Sequence, residues 1–270
     1  MDQPQHIDVH GLTHVFASGR RKLTALEDVD LEVERGVFIS VVGPSGGGKT
    51  TLLRIIGGLL EPTAGDILVD GVPPLEARRR KSIGFVFQDP SLLPWRTVLQ
   101  NIRLPLQLNT GQNHADSDEP ERLLEAVDLA RFRDYHPHQL SGGMKQRVAL
   151  ARALVLNPAV LLMDEPLGSL DEMTRAAMRY ELLRLWGLWP KTVVFVTHSI
   201  QEAVLLADRV VVMSSGPGRI LEELCVDLPR PRGEELERSK RFLDYVQHVK
   251  HVLSIGAGRG EPVLEARAGS

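Results

Sequence analysis

The stretch Gly43-Pro44-Ser45-Gly46-Gly47-Gly48-Lys49-Thr50 constrains the fold of this chain more than any other. It follows the apolar run 37–42 and opens a helix-forming segment, so the spacing G-x-x-x-x-G-K-[ST] stands in strand, loop, helix order. Glycines let successive backbone N–H groups curl around a phosphate without Cβ interference, and the start of the next helix adds positive potential. In such a loop Lys49 reaches the terminal phosphates of a nucleotide, the Thr50 hydroxyl ligates Mg²⁺, and the backbone from Gly43 to Thr51 surrounds the phosphates. A glycine-rich turn that binds nothing is the plainer alternative, and the context argues against it.

The rest of the pattern fits an α/β sheet. Runs rich in β-branched residues at 83–87, 160–163 and 192–197, like the one at 37–42, are nearly unbroken in apolarity, as expected of strands covered on both faces. Residues 26–33 alternate as in a half-exposed antiparallel strand, and 65–71 reads as a hairpin strand ending in Asp70-Gly71, so a small β-sheet is expected at the front. Between 89 and 158 the chain turns leucine-rich and helical, with helices expected at 120–133 and 142–156 and an exposed loop at 109–120. Leu236, Leu243, Val246, Val249 and Leu253 recur at helical spacing, predicting a packed helix over 234–253 followed by a frayed polar tail.

Composition bounds the remainder. With 270 residues, 43% hydrophobic, the chain can bury a large core; collagen, disulfide scaffolds and global disorder are excluded. A net charge of −3 gives no general pull towards nucleic acid, and none is expected as a partner. The lone Cys225 allows no intrachain disulfide, which fits a reducing compartment. Residues 1–10 lack the basic and apolar segments of a signal peptide, and no apolar run approaches the ~20 residues of a membrane-spanning helix.

Four further positions fall just beyond predicted core strands. Asp164 and Glu165 end the run 160–163, and Pro166 should turn the chain there, so both carboxylates could face one cleft. Asp164 is placed to hold Mg²⁺, and Glu165 to accept a proton from the water attacking the γ-phosphorus. Gln88 and His198 follow the runs 83–87 and 192–197. Each alone reads as a capping residue, but open α/β sheets bind ligands along that edge. Leu140-Ser141-Gly142-Gly143-Met144 precedes a helix carrying Arg147 and Arg152, and its serine and free N–H groups make a second anion site.

In this order the motifs resemble the nucleotide-binding subunits of ABC transporters over roughly residues 7–232. The resemblance implies a P-loop core of ABC type with an N-terminal antiparallel β-subdomain and an inserted helical subdomain at about 89–158. Residues 1–232 would form the ATPase domain, and 233–270 a C-terminal helix and flexible tail. It implies ATP and Mg²⁺ as cofactors, with Thr50, Gln88 and Asp164 at the metal. Glu165 corresponds to the catalytic glutamate, His198 to the switch histidine, Gln88 to the Q-loop, residues 169–171 to the D-loop and 140–144 to the signature motif. It further implies a head-to-tail homodimer in which Ser141, Gly142 and Gly143 complete the other copy's ATP site. Phe16 stands where the family usually places a tyrosine that stacks on adenine; a core aromatic is the other reading. Met144, where glutamine is commonest, and Leu92-Leu93-Pro94-Trp95 after Gln88 look like the branch serving nitrate, sulfonate and taurine importers. Separate permease subunits and a solute-binding protein then follow, with this chain on the cytoplasmic face of the membrane.

Three alternatives compete. A soluble ABC ATPase acting on nucleic acid or ribosomes predicts a second cassette or a basic face, and neither is visible; Arg78-Arg79-Arg80-Lys81 lacks interleaved aromatics and reads as a solvated turn. A small-molecule kinase or GTPase leaves 140–144 unexplained. An exporter of unknown substrate differs only in direction, which rests on analogy. Leu92, Leu93 and Trp95 either form an apolar groove for a helix of a membrane partner or fill the helical subdomain's own core.

Overall fold

A computed structural model describes residues 5–19, 21–108, 110 and 118–257. Its strands are β1 (Gln5–Ser18), β2 (Arg21–Glu34), β3 (Phe38–Val42), β4 (Ala64–Val69), β5 (Ile83–Val86), β6 (Val160–Asp164), β7 (Thr192–Thr197), β8 (Arg209–Met213) and β9 (Ile220–Cys225). Its helices are α1 (Lys49–Ile56), α2 (Pro74–Arg79), α3 (Val98–Gln107), α4 (Glu119–Ala126), α5 (Gly142–Leu154), α6 (Glu172–Leu188), α7 (Ile200–Leu206) and α8 (Lys240–Ala257).

Three strands pair antiparallel in the order β2-β1-β4, and six form a second sheet in the order β5-β6-β7-β3-β8-β9. The first five of the six run parallel and β9 closes the edge antiparallel. Every residue of β3, β6 and β7 is buried, which is why their sequences read as continuous apolar runs rather than alternating ones. The pleat divides them between two cores. Ile39, Val41, Leu162, Val194 and Val196 pack with α1 and the antiparallel sheet, whereas Phe38, Val42, Leu161, Met163 and Phe195 pack with α5, α6 and α7. Each such side chain contributes about 1.5–3 kcal/mol by leaving water.

Parallel strands end at the same edge, so the loops after β3, β5, β6 and β7 come together there. Among the described residues, the segment between β5 and β6 holds α3, α4 and α5 and no strand. Several expectations need correction. The helix expected at 120–133 stops at Ala126, where Asp128 takes a left-handed φ of 56°, and a short 3₁₀ turn at Ala130–Phe132 follows. The helix of 142–156 ends at Leu154. The C-terminal segment is a 3₁₀ turn at Glu234–Arg238, a break capped by Ser239, and then α8. That break rotates the helical face: Phe242, Val246 and Val249 are buried, and Leu243 is 48% exposed rather than packed. Most of the loop expected at 109–120, and the tail from 258, lie outside the described residues.

Leu92 and Trp95 take different fates. Leu92 packs against the core while Trp95 is 71% exposed, so the segment is neither all groove nor all filling. Arg78, Arg79 and Arg80 end α2 exposed to solvent, with Arg80 paired to Glu76. No helix among the described residues is long and apolar enough to cross a membrane.

Candidate functional site

The glycine loop between β3 and α1 is walled in by backbone. A Cβ on Gly48 would sit 2.5 Å from the Ala25 carbonyl oxygen, and φ there is +77°, a conformation glycine adopts without strain. Gly48 is also the residue at which the chain turns into α1, leaving the helix's first N–H groups without a side-chain cap and free for an anion. Lys49, buried, lies back across the loop with Nζ donating to the carbonyls of Gly43 and Pro44 at 2.8 Å each. Burial pushes its pKa down, and the nearby charges of Glu165 and Asp164 partly restore it. An ammonium so placed would gain from any phosphate entering the loop.

Two pairs face it from the neighbouring strand ends. The Thr50 hydroxyl donates to Asp164 Oδ1 at 2.8 Å. Glu165 takes φ 47°, a left-handed turn immediately after β6, with its N–H donating to the Val196 carbonyl at 3.0 Å. From that kink its carboxylate reaches the cleft, where Oε1 lies 2.5 Å from His198 Nε2. Glu165 is thus a carboxylate held in a left-handed turn against a histidine.

Gly48, Lys49, Thr50, Glu165 and His198 line a cleft of about 390 Å³, together with Phe16, Ser45, Gly46, Gly47, Thr51 and Gly216, whereas Asp164 is buried behind Thr50 and does not line it. Phe16 is 44% exposed and stands edge-on to His14 at 4.6 Å between ring centres, so it is not a core aromatic. Its neighbours Leu23, Thr24 and Ala25 on β2 complete that wall. Sequence reasoning missed them, although the β1–β2 register, which pairs Phe16 with Leu23, is the signal that finds them. Gln88 lines an adjoining chamber of about 200 Å³ with Glu165 and His198. Ser141, Gly142 and Gly143 line neither space; Ser141 caps α5 by accepting the Met144 N–H at 3.3 Å and lies exposed.

The hydroxyl, carboxylate and amide oxygens of Thr50, Asp164 and Gln88 are hard donors of the kind Mg²⁺ takes, and the 2.8 Å Thr50–Asp164 pair fits such an ion. No group of three or more His, Cys, Asp or Glu that could hold a metal ion occurs among the described residues.

Comparison with known proteins agrees with this geometry. A family profile described as ABC transporter matches residues 26–168. The nitrate import ATP-binding protein NrtD of Synechocystis is 41% identical over 271 residues, covering 97% of this chain and 98% of its own. The aliphatic sulfonates import ATP-binding protein SsuB of Bacillus cereus is 40% identical over 231 residues, covering 86% of this chain and 90% of its own. A solved dimer of the ATP-binding cassette MJ0796 in a post-hydrolysis state, bound to ADP and Pi, superposes with a TM-score of 0.72 at 34% identity, covering 83% of this chain and all of that one. This chain belongs to the ABC transporter family as an ATP-binding, ATP-hydrolysing cassette.

Proposed function

We propose that this cassette powers an importer of small anions of the nitrate, sulfonate or taurine type, working as a homodimer against separate permease subunits on the cytoplasmic face of the membrane, with a separate solute-binding protein. The observation that carries the catalytic half of this reading is the Glu165–His198 pair at 2.5 Å beside the glycine loop and the Thr50–Asp164 pair at 2.8 Å. The relatives that import nitrate and sulfonates, with Met144 and the Leu92–Trp95 segment, support the choice of solute class.

The chemistry follows from the residues. Phe16 stacks on the adenine, and the N–H groups of residues 45–51 hold the β and γ phosphates. Lys49 leaves the Gly43 and Pro44 carbonyls for those phosphates. Thr50, Asp164 and Gln88 would hold Mg²⁺, which offsets the charge on the phosphate oxygens. Glu165 accepts a proton from a water whose oxygen attacks the γ-phosphorus as the bond to the ADP oxygen breaks; His198 steadies that carboxylate and the γ-phosphate. Ser141, Gly142 and Gly143 of a second copy supply N–H donors at the open side of the γ-phosphate, carried there by the helical insertion at about 89–158. ATP therefore favours the closed pair and its products the open one, and the permease, gripping the exposed Trp95 region, follows.

The test is to isolate the subunit with its permease in vesicles and follow ATP turnover as nitrate, an alkanesulfonate or taurine is added with the solute-binding protein. Turnover raised by one of these anions is expected; turnover indifferent to all three removes the solute assignment. Glu165→Gln should accumulate as an ATP-bound dimer with hydrolysis reduced about 10²–10³-fold, and a monomer in saturating ATP would remove the closure mechanism.

A further inference from the structure

Behind the Glu165–His198 pair lies a carboxylate that the mechanism above does not use. Glu202, on the first turn of α7, is 4% exposed and borders the 200 Å³ chamber that also meets Gln88, Glu165 and His198. Burying a carboxylate without paying its desolvation requires partners, and it has two. Its Oε2 accepts the Thr197 hydroxyl at 2.5 Å, while the same hydroxyl accepts the Ser199 N–H at 3.0 Å. The residue between Thr197 and Ser199 is His198, so this oxygen fixes the turn that aims the histidine ring. Its Oε1 lies 4.0 Å from Arg175 Nε. Arg175 in turn donates to the carbonyls of Leu167 at 3.3 Å and Leu170 at 2.8 Å, in the turn that starts at Glu165 and is closed by the Gly168 N–H on the Glu165 carbonyl at 3.0 Å.

We propose that Glu202 is a positioning residue for hydrolysis: from behind the site it holds the His198 turn through the Thr197 hydroxyl and draws on the Arg175 guanidinium that grips the turn after Glu165. The two members of the catalytic pair thus share one buried anchor. An anchor of this kind sets where the attacking water is held and leaves the phosphate loop untouched, because Lys49 and Thr50 bind through α1 and β6 instead. The proposal rests on the roles given above to Glu165 and His198.

The experiment is steady-state ATP hydrolysis by the full chain, with its permease where the isolated chain is slow, for Glu202→Ala, Thr197→Val, the pair combined, and Glu202→Gln. Thr197→Val is nearly isosteric and guards against a variant that fails to fold, and thermal unfolding is recorded for each. The expected result is a fall in kcat of about ten-fold for Glu202→Ala and for Thr197→Val, with KM for ATP within about two-fold. The combined variant should be little worse than either, as for two ends of one hydrogen bond. Glu202→Gln, whose amide oxygen still accepts the Thr197 hydroxyl, should return kcat to within about three-fold of the unaltered chain. Unchanged kcat in Glu202→Ala and Thr197→Val, additive losses in the pair, or a rise in KM matching the fall in kcat would each overturn the proposal. An unaltered chain that turns over while Glu165→Gln turns over equally well would instead overturn the parent assignment of roles.

Discussion

Gly47 and Gly48 are pressed against the carbonyls of Ser214 and Ala25, whereas Gly142 faces only the tip of the Leu170 side chain and lies, like Ser141, at the surface. Both stretches open a helix, and both offer backbone N–H groups to an anion. The first sits inside a cleft with a lysine, two carboxylates, a histidine and an aromatic ring already gathered round it. The second lines neither the cleft nor the adjoining chamber, and its Ser141 hydroxyl is engaged in its own cap. The first is packed by its own chain; in the second, Ser141 and Gly142 are exposed while Gly143 is buried against Thr174. The difference is what the proposed head-to-tail pairing requires: one part of a site gathered within the chain, and a second part left at the surface for another copy.

The sharpest way to break that comparison is to put one defect on each side. Chains with Lys49→Ala lose the cradle, and chains with Ser141→Arg lose the helix start; each alone should be inactive in ATP hydrolysis. Mixed in equal amounts, half of the pairs would carry one intact site composed of the loop of one chain and the helix start of the other. Turnover should then return to roughly a quarter of the unaltered level for independent sites in a two-fold dimer. No recovery on mixing, or full turnover by the Ser141→Arg chain alone, would mean that the two stretches never meet.

Stability separates the regions next. The exposed helix start is tied to the rest of the molecule further along α5, where the Arg152 guanidinium donates to the carbonyls of Pro90 at 2.6 Å and Ser91 at 2.8 Å. Gln146, also on α5, donates to the Phe87 carbonyl at 3.4 Å. The loop that follows Gln88 is therefore held by the same helix that presents Ser141. Arg152→Met strands those two carbonyls and should cost about 2 kcal/mol, lowering Tm by about 4–8 °C in calorimetry. A Tm unchanged within a degree would show that the loop is held without it.

Affinity comes third. Phe16→Ala should raise KM for ATP about ten-fold, the worth of one stacked base, with kcat little changed, and Phe16→Tyr should leave KM within about two-fold. Equal effects of both substitutions would place the adenine elsewhere.

What was legible in the sequence divides along the same line. The glycine loop, Asp164, Glu165 and His198 could be found because they stand at the ends of apolar runs that become fully buried strands, and Gln88 because it follows the apolar run of β5, although that strand alternates between half-buried and buried residues rather than being covered on both faces as expected. β1 was not singled out, because bulges near Gly11 and His14 break its alternation and no period survives in the sequence. β9 was hidden for another reason: its Glu222 and Glu223 look like a turn, yet they sit on an edge strand, where Glu223 pairs with Arg209 and Glu222 with His248. Leu243 misled because regular spacing cannot reveal a break at Ser239. Nothing in the sequence marks Glu202 off from an ordinary acidic residue in a first helical turn. Only tertiary packing, which sets Thr197 and Arg175 against it, turns a surface-like glutamate into a buried one.

The smallest expected effect tests the cost of that burial. Desolvation raises the pKa of Glu202; the Thr197 hydroxyl and the charges of Arg175 and Arg179 oppose the rise, and Glu172 adds to it. An acid whose folded-state pKa exceeds its unfolded value binds its proton more tightly when folded, so the folded state loses stability as pH rises from the ordinary glutamate range through the raised value. Glu202→Gln cannot titrate and escapes this loss. At pH 7.5 its Tm should exceed that of the unaltered chain, and the gap should narrow as the pH falls towards the ordinary glutamate range, where Glu202 binds its proton in both states. A comparable gap is not expected for Ser141→Ala, which removes a long cap bond in open solvent and should lower Tm slightly at every pH. If the Glu202→Gln gap stayed constant with pH, or ran the other way, the strand edge would carry no burial cost, and the contrast between a packed cradle and an open helix start would rest on geometry alone.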